Sequence, residues 1–444
     1  MAALAVSLAF FVFVGFVGRA TLALFRWPGG ILRAWLMAPA LGLSVVVLLT
    51  TVLNQLGLPV RSFALPLTVV IALASAAVFW WRRPLLPARA LAPFVAVAIF
   101  SLVWTGWPML RFGFAWLSYV NDDFVNYCLA AERFKDFGFW RVPTMDELAG
   151  RDIAQYYWFM HVPGLMRFGS ELTLAWLSAV TGVKSLGIFM PTIVGLGLIQ
   201  IFSAAALVLH RGRWRRRALV TVALLAASPL FMLGTLYQLI AQVGGLALLL
   251  AATAVLTARL PQRVRRLFPH VLTLSVVGAA LAVFYPEVTA FAVLTTVIAG
   301  TIEALRNRAV PLPRLRLALY GIVGVIVLLR YNTLSYVFTI MLQMGQGFRA
   351  VDLSLSLFPY FMIPTGLANL FGLMPLALNF AEPFTTLTIL AGLAALVTAL
   401  ILAARDSLLR AAPMGVLLLV QFVLALKLMR AGNDFGLYKI AMFM

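Results

Sequence analysis

Two adjacent carboxylates, Asp122 and Asp123, stand near the start of the one long hydrophilic stretch of this chain. Carboxylates so placed can take a proton from a reacting hydroxyl or hold a cation. Residues 109–185 carry eight of the chain's 14 acidic residues: Asp122, Asp123, Glu132, Asp136, Asp146, Glu147, Asp152 and Glu171. The whole chain is 63% hydrophobic and only 11% charged, so this local concentration of acids marks where chemistry is expected.

Beyond the pair, Phe124, Tyr127, Cys128, Ala131 and Phe134 recur at helical spacing. The acids therefore begin a short amphipathic helix expected to lie along a membrane face. Capping is the structural alternative, with Asn121 or Asp122 as N-cap and Asp123 complementing the helix dipole. No Glu or Gln stands three residues on to complete a capping box. Neighbours in a helix do not share a face, so one acid is expected to enter a site while the other caps or supports.

The stretch continues through Gln155–Gly164, with Tyr156, Tyr157, Trp158 and His161. Aromatic residues of these types anchor membrane interfaces, and they also form sugar-stacking platforms. His161 joins Asp122 and Asp123 as a candidate for a direct role, against the commoner structural histidine. Elsewhere, Lys427 and Arg430 lie three apart at the end of the last apolar run, with Lys439 following. Arg330 ends another run, and Glu287 sits in the turn Phe284-Tyr285-Pro286-Glu287. Cations at such ends snorkel to headgroups, or they clamp a phosphate.

The elements that must position these residues are membrane helices. Mean hydropathy is +1.02, and apolar runs long enough to span a bilayer recur throughout. About twelve spans are expected, near residues 2–18, 36–54, 63–81, 90–108, 186–209, 217–233, 239–257, 270–285, 288–304, 317–335, 384–403 and 411–430. This is an all-α polytopic membrane protein, a single membrane domain over 1–444. Arginine clusters such as Arg82, Arg83 and Arg89, or Arg211, Arg213 and Arg215–Arg217, fall on alternate connections. By the positive-inside rule those connections are cytoplasmic. The N-terminus and the 109–185 loop are then external, and the expected location is the inner (plasma) membrane. Residues 331–383, with Pro359, Pro364 and Pro375, form a second external region, possible as a re-entrant segment.

Several classes are excluded. The net charge of +20 is dispersed in clusters between apolar runs, so its partners are membrane lipids and not nucleic acid. One cysteine, Cys128, permits no internal disulfide. There is no P-loop, HExxH, paired-cysteine or nucleophile-elbow signature. The first apolar run lacks a basic leader and reads as a membrane helix, not a removed signal. The last residues, Tyr438–Met444, stop within an apolar run, as a fragment would.

Taken together, Asp122-Asp123 at the start of a large external loop, the amphipathic helix after it, and the His161–Gly164 and Gly169–Gly182 return resemble the GT-C superfamily. Tyr285-Pro286-Glu287 resembles an outer-turn motif of its uncharacterised bacterial branch. The resemblance implies a glycosyltransferase that moves a sugar from a polyprenyl-phosphate donor to an acceptor hydroxyl on the outer face. Asp122 or Asp123 would be the base, or with its neighbour a ligand for Mg2+ or Mn2+. Tyr156, Tyr157, Trp158, Glu287, Arg330, Lys427, Arg430 and Lys439 would bind substrate. The acceptor would be a cell-envelope glycan, lipid or protein. Here four helices precede the acidic loop, whereas family members commonly have one. A transporter or flippase of lipid-linked glycans and a non-catalytic scaffold are the rival readings.

Overall fold

The structure is a computed structural model that describes residues 1–119, 122–150, 152–162, 167–209, 215–256, 258, 260–308, 312–330, 332–346, 361–362, 364–374, 381–410 and 413–443. It is all-helical, 85% helix, with no strand among the described residues. Four long helices come first: α1 (Ala2–Leu24), α2 (Ile31–Gln55), α3 (Val60–Arg82) and α4 (Ala88–Gly106). Short helices follow in the hydrophilic stretch: α5 (Pro108–Phe112), α6 (Asp122–Asp136), α7 (Met145–Ala149), α8 (Tyr157–His161) and α9 (Gly169–Thr181). The chain then runs through α10 (Ser185–Val208), α11 (Arg215–Ala227), α12 (Pro229–Leu236), α13 (Ile240–Leu256), α14 (Val264–Phe284) and α15 (Thr289–Asn307). It ends with α16 (Leu312–Leu329), α17 (Asn332–Gln346), α18 (Thr365–Leu370), α19 (Phe384–Arg410), α20 (Pro413–Arg430) and α21 (Asp434–Phe443).

Among the described residues, nine helices are long and apolar enough to cross a membrane, or ten if the bent pair α11–α12 is one span. This multi-pass character follows from backbone chemistry, since a helix satisfies its own peptide groups in hydrocarbon. The count of twelve is not reached on that measure. The expected 217–233 span is broken by Pro229, which starts α12 behind the Ser228 N-cap, and the two halves bend by 52°. The expected 239–257 span is the 17-residue α13. The 331–383 region contains α17 and α18; Pro359, Pro375 and the rest of 347–360, 363 and 375–380 lie outside the described residues.

α10 is the axis of the bundle: every residue of its apolar window is buried. It packs against α1, α2, α4, α9, α11 and α13. By contrast only 22% of the α3 window, 17% of α16 and 11% of α19 are buried, so these helices offer apolar faces to lipid. α1 and α2 meet through glycines. A Cβ at Gly18 would fall 1.8 Å from the Ala38 carbonyl oxygen, and one at Gly42 would fall 1.8 Å from that of Val14. Small residues allow this backbone approach where no hydrophobic effect drives association. At one end of the bundle the buried guanidinium of Arg33 donates to the Ala206 and Ala254 carbonyls, closing the last turns of α10 and α13 together.

The opposite end of α2 holds the loop. Asn54 Nδ2 lies within hydrogen-bond reach of the carbonyls of Leu58 at 3.0 Å, Phe134 at 3.3 Å and Phe137 at 3.0 Å. Glu132 Oε1 accepts from the Ser185 amide at 2.8 Å, tying α6 to the start of α10. The apolar stripe of α6 is buried at Phe124, Tyr127, Cys128, Ala131 and Phe134. α6 thus packs on α9 and α10 with its N-terminus, and Asp123, at the rim.

Candidate functional site

Four segments converge near the start of α6. Asp123 and Tyr127 stand one turn apart on that helix, on one face. Asp123 is exposed, while Tyr127 is 7% exposed. Arg167, just ahead of α9, reaches across: its Nη2 donates to Tyr127 Oη at 3.2 Å, and its Nη1 contacts the Glu287 carboxylate. The same guanidinium lies 5.1 Å from the centre of the Tyr285 ring. Tyr285 and Glu287 are held in the tight turn between α14 and α15. Lys439, half-buried on α21, completes the group.

The electrostatics bind these residues into one unit. The Asp123 charge acts on Tyr127, Glu171, Tyr285 and Lys439. Burial pushes the Tyr127 phenol up to about 12, against the pull of Arg167. The Tyr285 phenol is raised by burial and by Glu287. Burial works against the Arg167 charge, but Glu287 and the two phenols outweigh it, and the guanidinium is held charged. Lys439 is pushed down to about 8 by burial and by Arg167. It is a cation that burial leaves short of stabilising charge, so it gains from any anion that comes near.

A second polar group sits behind this one. Glu171, in the first turn of α9, is 4% exposed and accepts from Ser170 Oγ at 2.6 Å. Burial raises its carboxyl to about 7. Its Oε1 is 4.0 Å from Nε2 of His161. His161 is 5% exposed, packed against the rings of Phe134 at 5.2 Å and Tyr157 at 6.4 Å. Burial, with Arg133 next, pushes its imidazole down to about 3. His161 is therefore neutral at neutral pH, and both of its ring nitrogens are buried away from the surface where Asp123 is exposed.

The remaining sequence candidates distribute as follows. Asp122 begins α6, but its side chain lies outside the described residues, as do Asn121, Pro163 and Gly164. Tyr156 is exposed and its hydroxyl donates to the Leu148 carbonyl at 3.4 Å. The Tyr157 hydroxyl contacts Asn126 of α6, and Trp158 packs edge-on against Phe159 at 5.1 Å. Of the three aromatics, Tyr157 is the one whose contact ties α8 to α6. Arg330 closes α16 in a left-handed conformation, φ +54°, with its side chain exposed. Lys427 and Arg430 are exposed in the last turn of α20. Leu426 and Met429 from the same turns line an apolar cavity of about 350 Å3 between α18, α19, α20 and α21. Leu437, Ile440 and Ala441 form the α21 wall of that cavity.

The structure thus joins three sequence candidates, Asp123, Glu287 and Lys439, with Arg167, Tyr127, Tyr285 and Glu171. Nothing in the sequence marks Arg167, one of several basic residues in a polar loop whose partner is 120 residues away. Glu171 carries a partial signal, as an acid at the start of an apolar helix. Among the described residues no three His, Cys, Asp or Glu side chains gather as a metal site. The expected metal pair is Asp122 with Asp123, and the Asp122 side chain lies outside the described residues. Compared with known protein families, with curated proteins and with solved structures, the chain finds no match.

Proposed function

We propose that this protein is a membrane glycosyltransferase of the GT-C kind, using a polyprenyl-phosphate sugar on the outer face of the inner membrane. In this reading the bundle has about twelve spans, and residues 109–185 are its external loop. One observation carries it: an exposed carboxylate, Asp123, borders a buried group of cations whose Lys439 helix also walls an apolar cavity. An anionic lipid needs a dry cation next to an apolar surface, and an acceptor hydroxyl needs a base within reach.

The chemistry is a single displacement. The acceptor oxygen attacks the anomeric carbon while Asp123 takes its proton. The bond from that carbon to the phosphate oxygen breaks, and the polyprenyl phosphate leaves with the electron pair. Lys439 meets the leaving charge; Arg167, fixed by Glu287 and Tyr127, adds positive potential behind it.

The test is Asp123→Asn in the full chain reconstituted in liposomes with a polyprenyl-phosphate sugar. Loss of a general base lowers kcat by about 10²–10⁴-fold, whereas loss of a helix-dipole partner costs only about 0.3–1 kcal/mol of stability. Near-normal turnover in Asp123→Asn would remove it as the base. Labelling of introduced cysteines near Arg215 but not near Asp146 in intact cells would reverse the orientation and end the lipid-donor argument.

A further inference from the structure

Outside the charged group, two amides are conspicuous for what they lack. Gln238 is fully buried in the turn between α12 and α13, and Gln242, four residues on in α13, is 3% exposed. Neither side-chain carbonyl oxygen accepts a hydrogen bond from the described residues. Their Nε2 groups meet thioethers, Met190 Sδ at 3.9 Å and Met442 Sδ at 3.4 Å. Sulfur is a weak acceptor. Gln238 also holds a left-handed backbone, φ +63°, where glycine or asparagine is the ordinary choice. Half-paired buried amides and a left-handed glutamine both cost stability, and an apolar side chain at either position would avoid the first cost.

The amides adjoin the charged group. The Tyr119 amide donates to the Leu236 carbonyl at 3.0 Å, so the chain leading into α6 is tied to the turn that holds Gln238. Met190 follows Phe189, whose ring packs edge-on against Phe124 at 4.8 Å, next to Asp123. Met442 is one turn beyond Lys439 on α21. Gly245, three residues after Gln242, lies so close to Tyr285 that a Cβ there would be 2.3 Å from the Tyr285 Cβ. Gln238 and Gln242 therefore lie next to the Asp123–Tyr285–Lys439 group, along α13.

We propose that Gln238 and Gln242 recognise a neutral, hydroxyl-bearing group, the sugar ring of the lipid-linked donor. This rests on the glycosyltransferase reading and divides its site in two. Unpaired carbonyl oxygens select ligands that donate hydrogen bonds, and a hydroxyl can also accept from the Nε2 groups once the thioethers are displaced, whereas phosphate can only accept. Phosphate belongs with Lys439 and Arg167, and hydroxyls belong with the amides. Both amides are closed in this state, so the sugar reaches them by displacing the Met190 and Met442 thioethers. Those side chains are unbranched and adapt readily. The competing account is a bridging water that satisfies the oxygens without any ligand.

The experiment uses the full chain in nanodiscs and two kinds of probe. One is bare undecaprenyl phosphate; the other is the same lipid bearing glucose, mannose or arabinofuranose. The parent protein binds at least one glycosylated lipid about tenfold or more tightly than the bare lipid, the discrimination that lost buried hydrogen bonds produce. Gln238→Met and Gln242→Met abolish that preference, bind bare lipid as before, and unfold no earlier than the parent. Unchanged bare-lipid binding shows that each variant is folded. Variants that keep the preference, or a parent that binds every lipid equally, overturn the amide site and leave the lipid-donor reading standing. A parent that binds none of these lipids overturns both.

Discussion

The Arg167 guanidinium closes on the Glu287 carboxylate, 120 residues further along the chain, and so fastens the return into α9 to the turn between α14 and α15. Both side chains are mostly buried, 17% and 18% exposed. A pair of this kind costs much desolvation, so its net worth is small, but breaking it strands a charge. Glu287→Ala is expected to lose about 3–5 kcal/mol of stability. Arg167→Met with Glu287→Met should lose clearly less. Thermal unfolding of the two variants decides it, and a double variant as unstable as Glu287→Ala would refute the pairing account.

That contact also shows where sequence reading stops. The α6 stripe is legible because Phe124, Tyr127, Cys128, Ala131 and Phe134 repeat at the period of a helix, and all are buried. The first span shows a local limit. Its apolar run stops at Arg19, yet α1 continues to Leu24 because Arg19 is buried, with its guanidinium 5.5 Å from the Trp35 ring. A charge reads as an end in sequence but not when an aromatic face receives it. The break at Pro229 is written in the residue itself, although its 52° bend is not. Arg167 and the half-paired amides of Gln238 and Gln242 have no sequence signature, and the Tyr127 hydroxyl's partner has none either. Their meaning lies in which distant groups the bundle brings to them, or fails to bring.

The neighbours His161 and Glu171 make a prediction about pH. In the unfolded chain they titrate at their ordinary values, 6.5 and 4.5; in the folded protein they are about 3 and about 7. Between 4.5 and 6.5 the unfolded pair holds one proton, on the histidine, and the folded pair holds one, on the glutamic acid. Equal proton counts give no slope, so the parent's stability is flat from this pair. His161→Phe leaves the raised carboxyl alone, and stability should fall as pH rises from 4.5 to 7. Glu171→Gln leaves the depressed imidazole alone, and stability should rise with pH from 3 to 6.5. Each slope approaches about 1.4 kcal/mol per pH unit. Unfolding of each variant relative to the parent across that window is the measurement. Slopes of the same sign in both variants would contradict the assignment of a neutral pair.

Lys439 and the Lys427–Arg430 pair are separable by the donor Michaelis constant. Lys439 is pushed down to about 8 and faces the Arg167–Glu287 contact, so a phosphate there gains a charge-assisted bond in a partly dry place. Lys439→Gln is expected to raise the donor KM by about tenfold or more. Donor binding by the parent should also weaken as pH rises through about 8, because the protonated amine is the binding form. Lys427→Gln and Arg430→Gln act on exposed side chains of the α20 terminus, where screening limits the change to about threefold. Equal effects at all three positions would move the phosphate from Lys439 to the α20 terminus.

The seam between α1 and α2 links packing to the site. A Cβ at Gly42 would sit 1.8 Å from the Val14 carbonyl oxygen, so Gly42→Ala must force two backbones apart. Overpacking of this kind costs about 1–3 kcal/mol, and here the obstacle is backbone that cannot rotate away. The same helix carries Arg33 at one end, tied to α10 and α13, and Asn54 at the other, tied to α6. A shift of α2 therefore reaches Asp123 through α6. Gly300 is the control, because a Cβ added there would meet none of the described residues within 4 Å. Gly300→Ala should be neutral or gain about 0.5–1 kcal/mol from helix propensity. Gly42→Ala is expected to lower both the unfolding temperature and turnover, and Gly300→Ala neither. A Gly42→Ala protein that unfolds and turns over like the parent would mean that α1 and α2 do not approach this closely.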